Sequence, residues 1–209
     1  TTETLSSQRR QQLVKLVRQH PFYVIEDDYG AEFHFYGLKL PPLYRLLPPE
    51  SAVYIGSFSK ILAPAIRIGM MAASEEVIKK VGDLRNLIDI QGDNIMEQAV
   101  LDLIEQGALR RHIKRATKQY HEKKEYLNNR LRGLADRLDY HNPNGGLAIW
   151  VLFKASDISL LSLEKKLLKH NIDAPLFTMP SGAVGMRIGY ASLSSAEIDR
   201  LVNVLNLVC

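Results

Sequence analysis

Short apolar segments rich in β-branched residues alternate with helical patterns along most of this chain. Runs with the length of strands occur at 22–25, 52–56, 68–73 and 147–153, with shorter ones near 172–176 and 186–190. Helical spacing dominates at 4–20, from 74 onward, from 97 to 134 with a break near Gly107, and at 160–170. Strands that alternate with helices are typical of α/β folds, so we predict an α/β chain.

Local patterns refine this outline. The run at 22–25 lacks the polar alternation of a half-exposed strand, which predicts a strand covered on both faces. Residues 37–50, rich in Gly and Pro, are expected to form an irregular loop. Ser194 and Glu197 form a capping-box pattern that predicts a closing helix. We place a domain boundary in the helical middle, which divides the chain into residues 1–106 and 107–209.

Composition and charge narrow the class of protein. The 209 residues carry a net charge of +4, and we interpret the basic run from Arg110 to Lys124 as the solvated face of a helix rather than a nucleic-acid surface. A single cysteine, Cys209, excludes an internal disulfide framework and is typical of a reducing compartment. No apolar stretch approaches the ~18 residues of a membrane span, and no signal peptide is evident. We expect a cytoplasmic protein without a metal site.

Functional side chains follow two of the predicted strands, at the points where these strands end. After these strands come, in order, Asp27, Tyr29, Ser57, Ser59, Lys60 and Arg67. Ligands of open α/β sheets bind at the carboxyl ends of strands. A carboxylate, a phenol, hydroxyls, an amine and a guanidinium are the groups that pyridoxal 5'-phosphate (PLP) requires for its ring, aldehyde and phosphate. The pattern therefore predicts a PLP site.

Taken singly, these residues also have structural interpretations. Asp27 and Asp28 are typical of strand-end caps, Lys60 is typical of an exposed lysine, and Arg67 and Arg187 are typical of ion-pair residues. Their combination, in order and at matching spacing, favours the PLP interpretation.

Two segments resemble the PLP site of MocR-type transcriptional regulators of the GntR superfamily. They are Ile-Glu-Asp-Asp-Tyr at 25–29 and Ser-Phe-Ser-Lys-Ile-Leu-Ala-Pro-Ala-Ile-Arg-Ile-Gly at 57–69. The segments at 144–150 and 185–191 are similar to the small domain of the same family. The resemblance, from about residue 4 to the end, implies part of a fold-type I PLP-dependent aminotransferase large domain followed by an α/β C-terminal small domain.

The resemblance implies a role for each candidate residue in holding PLP or an amino compound. The implied partners are the ring nitrogen for Asp27, the ring oxygen for Tyr29, the Schiff base for Lys60, the phosphate for Arg67, Ser57 and more weakly Ser59, and the α-carboxylate of an amino acid for Arg187. The same residues would serve a regulator or an enzyme.

The function implied is that of a PLP-binding effector and dimerisation domain, which senses an amino acid or amine through external aldimine formation. Such a regulator is a homodimer and reaches DNA through an N-terminal winged-helix domain that this chain lacks. The alternative is a class I/II aminotransferase that transfers an amino group to a 2-oxo acid; a third possibility is a dimerisation fragment without a ligand. Asp27-Asp28-Tyr29 lacks the extra residue that many related enzymes carry there, which favours the regulator.

The resemblance also indicates which parts of the family's pattern this chain does not contain. Members carry, before the segment similar to residues 4–10, about half of the large domain, with further phosphate donors and an aromatic ring that stacks on PLP. Because each hydrogen bond to a charged group contributes ~1.5–3 kcal/mol, we expect this chain by itself to bind PLP weakly or not at all. We therefore interpret it as a truncated piece of a longer protein.

Overall fold

The computed structural model describes residues 2–30, 32–37, 39–89, 91–154 and 158–208, so Cys209 lies outside the described residues. Helices and strands follow one another as α1 (Ser7–Gln19), β1 (Val24–Asp28), β2 (Ala52–Ser57), α2 (Phe58–Ile61), β3 (Gly69–Ala72), α3 (Glu75–Ile88), α4 (Asn94–Glu105), α5 (Ala108–Leu131), β4 (Leu138–His141), β5 (Ala148–Phe153), α6 (Leu160–Lys169), β6 (Leu176–Thr178), β7 (Val184–Gly189) and α7 (Ser195–Val208). Short 3₁₀ turns lie at Leu43–Leu46, Pro49–Ser51, Pro64–Ile66 and Arg132–Leu134. The prediction of an α/β chain is confirmed.

Contacts divide the chain into two compact units. The N-terminal unit comprises Leu5–Glu32 and Tyr36–Arg115, and the C-terminal unit comprises Thr1–Thr4, Phe33–Phe35 and Ala116–Cys209. The change from one unit to the other falls inside α5, whereas the break between α4 and α5 lies at Gly107, where φ is +66°. A left-handed backbone at that position suits glycine and ends α4. The division into domains at residues 106 and 107 stays a prediction.

The N-terminal unit contains a three-stranded sheet in the order β1-β2-β3. β1 pairs with β2 in parallel, with Asp27 opposite Ile55, and β3 runs antiparallel to β2, with Gly69 opposite Ser57. Because β1 and β2 are parallel, their carboxyl ends meet at one edge of the sheet. A small core of Val17, Leu43, Leu47 and Ala52 packs α1 and the 3₁₀ turns against this sheet.

The predicted extent and burial of the first strand were wrong. β1 begins at Val24 and continues through the acidic residues to Asp28, and Ile25 is 66% exposed. The strand accommodates Glu26 because its carboxylate accepts hydrogen bonds from the backbone N–H groups of Leu43 and Tyr44, both at 2.8 Å. The apolar run therefore predicted that a strand lies here, but it did not predict which face of the strand is covered.

The C-terminal unit has a four-stranded antiparallel sheet in the order β4-β5-β7-β6. Alternate residues of β5 are buried, so one face of the sheet packs against a core to which α5, α6 and α7 contribute Leu127, Leu163 and Leu205. The predicted capping box is confirmed, since Ser194 N donates to Glu197 Oε2 at 2.7 Å and Glu197 N donates to Ser194 Oγ at 3.3 Å. β4 was missed, and the strand expected at 172–176 lies instead at Leu176–Thr178.

The basic run of α5 is a solvated face at its start and not throughout. Arg110, Arg111 and Lys114 are exposed, as predicted. Lys124 is fully buried. Its burial is tolerated because Nζ donates to the Pro143 carbonyl at 2.9 Å and pairs with the neighbouring Glu125. Within the described part of the chain, no helix combines the length and the apolar character needed to cross a membrane.

Candidate functional site

The candidate site begins at the edge of the N-terminal sheet where β1 and β2 both end. Asp27 lies opposite Ile55, and adjacent strands are ~4.8 Å apart. Ser57 follows two residues later, ~6.6 Å further along the same strand. Because side chains alternate along a strand, Asp27, Ile55 and Ser57 belong to one face of the sheet. The structure thus brings the predicted carboxylate and one predicted hydroxyl to the same edge and face.

Asp28 belongs to the opposite face, so the two neighbouring acids have different surroundings. The Tyr54 hydroxyl donates to Asp28 Oδ2 at 3.5 Å. Burial first, and then the negative charges of Asp28, Glu26 and Glu32, raise the pKa of Tyr54 to about 12, so this phenol stays a donor at neutral pH. Asp27, by contrast, is exposed. Of the two acids, Asp27 is the one that presents a carboxylate on the face shared with Ser57.

Lys60 lies in α2, a single helical turn that starts directly after β2. The turn is closed by the Leu62 N–H, which donates to the Phe58 carbonyl at 2.8 Å, and it is tied to the next segment by the Phe58 N–H, which donates to the Ile68 carbonyl at 3.0 Å. The Lys60 side chain is exposed, while Ser59 is only 8% exposed. Lys60 therefore has an accessible amine on a short turn that outside contacts hold in place.

Arg67 has a backbone conformation that few residues other than glycine adopt. Its φ of 53° and ψ of 25° lie in the left-handed region, directly after the 3₁₀ turn Pro64–Ile66. The next residue, Ile68, accepts the hydrogen bond from Phe58, so Arg67 is held close to the start of the Lys60 turn. A backbone kept in a strained conformation close to the turn of an accessible lysine is typical of a functional position.

Tyr29 and Arg187 complete the set of predicted residues. Tyr29 follows β1 and is 48% exposed, which is consistent with a phenol that a ligand can reach. Arg187 lies in β7 of the C-terminal unit, opposite Trp150 of β5, and its side chain is exposed. The structure therefore gathers Asp27, Ser57, Lys60 and the Arg67 segment in one unit, and it places Arg187 in the other.

One residue near the lysine was not predicted from the sequence. His112 of α5 contacts the carbonyl oxygen of Ile61 through Nε2 at 2.9 Å. Nothing in the sequence indicates this pairing, because 51 residues separate the two and His112 lies in a run interpreted as a solvated face.

The residues of the N-terminal unit supply the types of functional group that PLP requires. A carboxylate, a hydroxyl, an amine and a guanidinium are carried by β1, β2, the α2 turn and the segment after it, all at the carboxyl edge of the parallel pair. The negative carboxylate is suited to a protonated ring nitrogen, and the positive guanidinium is suited to a phosphate.

The sequence matches the model of the aminotransferase class I and II family from residue 4 to residue 205. The chain belongs to this family. Its fold is that of a fold-type I aminotransferase, and PLP is the cofactor of the family. The fold class and the cofactor expected from the resemblance are confirmed at this level.

Individual relatives include both enzymes and regulators. The chain is 27% identical over 197 residues to a 2-aminoadipate transaminase of Thermus thermophilus, covering 90% of this chain and 49% of that protein. It is 27% identical over 205 residues to the HTH-type transcriptional regulator NorG of Staphylococcus aureus, covering 95% of this chain and 45% of that protein.

Among solved structures, a kynurenine aminotransferase of Pyrococcus horikoshii superposes with a TM-score of 0.89 at 23% identity, covering 99% of this chain and 53% of that one. The chain thus spans about half the length of the curated relatives that it matches.

Proposed function

We propose that this chain is the PLP-binding effector and dimerisation region of a MocR-type regulator of the GntR superfamily. The observation that carries the proposal is the match to NorG, an HTH-type regulator, over 95% of this chain. The uninterrupted Asp27-Asp28-Tyr29 segment supports it. In such a protein the chain would respond to an amino acid or amine, and DNA would be bound by a domain outside this chain.

The role that we propose for each residue follows from the chemistry of its side chain. When bound, PLP supplies an electron-withdrawing ring and an aldehyde carbon that bonds primary amines. Lys60 would hold the cofactor through its amine, while the Asp27 carboxylate would stabilise a proton on the ring nitrogen.

Further groups would fix the position of the cofactor and of the amino compound. The Arg67 guanidinium and the hydroxyls of Ser57 and Ser59 would bind the phosphate, and the Tyr29 phenol would donate to the ring oxygen. We propose that Arg187 binds the carboxylate of the amino compound as a planar, two-donor partner. Residues 1–106 would then form the cofactor-binding domain and residues 107–209 the small domain.

A second candidate function is that of a class I/II aminotransferase. The match to the 2-aminoadipate transaminase over 90% of this chain favours it, and the geometry around Lys60 serves either function. In the enzyme, the Lys60 amine would also move the α-proton of the amino acid.

Two assays on the full-length protein distinguish the candidates. For the regulator, we expect a sequence-specific DNA complex whose affinity changes when an amine is added together with PLP, and no sustained turnover of an amino donor with a 2-oxo acid. The change should disappear in Lys60→Ala while DNA binding itself persists. Sustained transamination without a specific DNA complex would instead establish the enzyme.

A further inference from the structure

The helical turn that carries Lys60 is fastened at its carboxyl end by a side chain from a distant helix. The Ile61 carbonyl, one residue after Lys60, lies 2.9 Å from Nε2 of His112 in α5. Both residues belong to the N-terminal unit, and the contact is partly buried. A carbonyl oxygen only accepts, so Nε2 carries the proton and donates it.

A turn this short depends on such outside contacts. α2 has four residues and is closed by the hydrogen bond from Leu62 N to the Phe58 carbonyl. Fixing the first turn of a helix is unfavourable, and isolated helices of fewer than ~12 residues are marginal in water. The turn is therefore held from outside at both ends, by Ile68 at Phe58 and by His112 at Ile61.

We propose that His112 is a positioning residue for Lys60. By donating to the Ile61 carbonyl, it keeps the turn closed and so holds the Lys60 amine where it bonds the cofactor. Without the donor, the turn opens more often, and the amine spends less time in the position required. This inference rests on the proposed role of Lys60 as the cofactor-bearing residue.

The test compares two replacements of His112 that differ in the donor. His112→Phe keeps a planar ring and removes the N–H group, whereas His112→Gln places an amide N–H at a similar reach. Lys114→Ala, at an exposed position on the same helix, is the matched control. Should the Phe variant not fold, His112→Ala replaces it, because alanine favours the helix.

Two measurements on the full-length protein report different steps. Hydrogen exchange of the Leu62 amide, recorded without cofactor, reports how often the turn opens, and a PLP titration followed by visible absorbance reports the affinity at Lys60. We expect His112→Phe to speed the exchange and to weaken PLP binding, each about fivefold, which corresponds to one hydrogen bond of ordinary strength. His112→Gln should recover most of both effects, and Lys114→Ala should resemble the wild type.

The outcomes separate this inference from the function on which it rests. Unchanged exchange and affinity in His112→Phe, or equal defects in the Phe and Gln variants, would overturn the positioning role. If the wild type shows no PLP absorbance that depends on Lys60, the proposed function fails, and the exchange rates still decide whether His112 holds the turn.

Discussion

The two units of the chain differ sharply in how completely they bury their apolar side chains. In the C-terminal unit, Leu163, Ile149 and Met186 are fully buried in one continuous core. In the N-terminal unit the core is small, Ile25 of the sheet is 66% exposed, and α3 has no buried residue. The candidate cofactor residues Asp27 and Lys60 lie in this less packed unit. Within this chain, which spans about half the length of the relatives that it matches, the packed core and the candidate cofactor residues therefore lie in different units.

The largest effect is expected from a cavity in the packed unit. Leu163→Ala should lower the free energy of unfolding of the C-terminal unit by ~2–5 kcal/mol, because a fully buried side chain leaves a cavity. Ile25→Ala should change the free energy of unfolding of the N-terminal unit by less than ~0.5 kcal/mol, because most of that side chain is in solvent. Urea unfolding followed by the fluorescence of Trp150, the single tryptophan, reports on the C-terminal unit, and hydrogen exchange of the β1 and β2 amides reports on the N-terminal unit. Equal effects of the two substitutions would contradict the difference in packing between the units.

A second prediction separates the backbone of Arg67 from its charge. Arg67→Ala and Arg67→Gly should each weaken PLP binding by the full-length protein ~10- to 100-fold, because both lose charge-assisted hydrogen bonds to the phosphate. Arg67→Gly should be more stable than Arg67→Ala by ~1 kcal/mol, because glycine adopts the left-handed conformation without strain.

PLP titrations and thermal unfolding measure the two effects of Arg67, and Arg18→Ala, at an exposed position of α1, is the control. A cofactor affinity unchanged in both Arg67 variants would remove this residue from the site.

The smallest effect concerns the alkaline limit of stability in the N-terminal unit. Below pH 10 the Tyr54 phenol is protonated in the folded and the unfolded chain alike, so its contribution to stability is fully present. As pH rises from 10 toward 12, the unfolded chain loses a proton that the folded chain keeps, and folding is weakened. Tyr54→Phe should therefore lose less stability over this interval than the wild type.

Hydrogen exchange of β1 and β2 amides, compared between pH values after correction for the intrinsic rate, measures this effect. Tyr190, whose pKa burial raises well above its usual range, acts in the C-terminal unit and serves as the internal comparison. An identical alkaline profile in wild type and Tyr54→Phe would exclude the phenol as the cause.

Local patterns in the sequence predicted much of the fold, because periodicity and capping are local properties. The break at Gly107, the capping box of Ser194 and the strand expected at 52–56, which the structure has at Ala52–Ser57, were found in this way. Patterns did not predict that β1 continues through Glu26, since the groups that satisfy its carboxylate lie 17 and 18 residues away. They also did not predict β4, a short strand in which apolar and polar residues are mixed.

For the candidate site, the sequence predicted the types of functional residue, and the structure shows the contacts and backbone conformations that position them. Asp27 lies near the end of β1 and Lys60 directly follows β2, and these two strands are adjacent and parallel. The left-handed backbone of Arg67 and the contact of His112 with the Lys60 turn depend on tertiary packing, so no local pattern records them.

We propose that Lys60 is the residue that carries the cofactor, and every other role proposed for the site depends on it. The most direct measurement is mass spectrometry of the full-length protein after incubation with PLP and reduction with borohydride. We expect a single modified peptide that contains Lys60, no modification in Lys60→Ala, and full modification in Lys79→Ala, a variant at an exposed lysine of α3. Modification that persists in Lys60→Ala at the level of the wild type would contradict it.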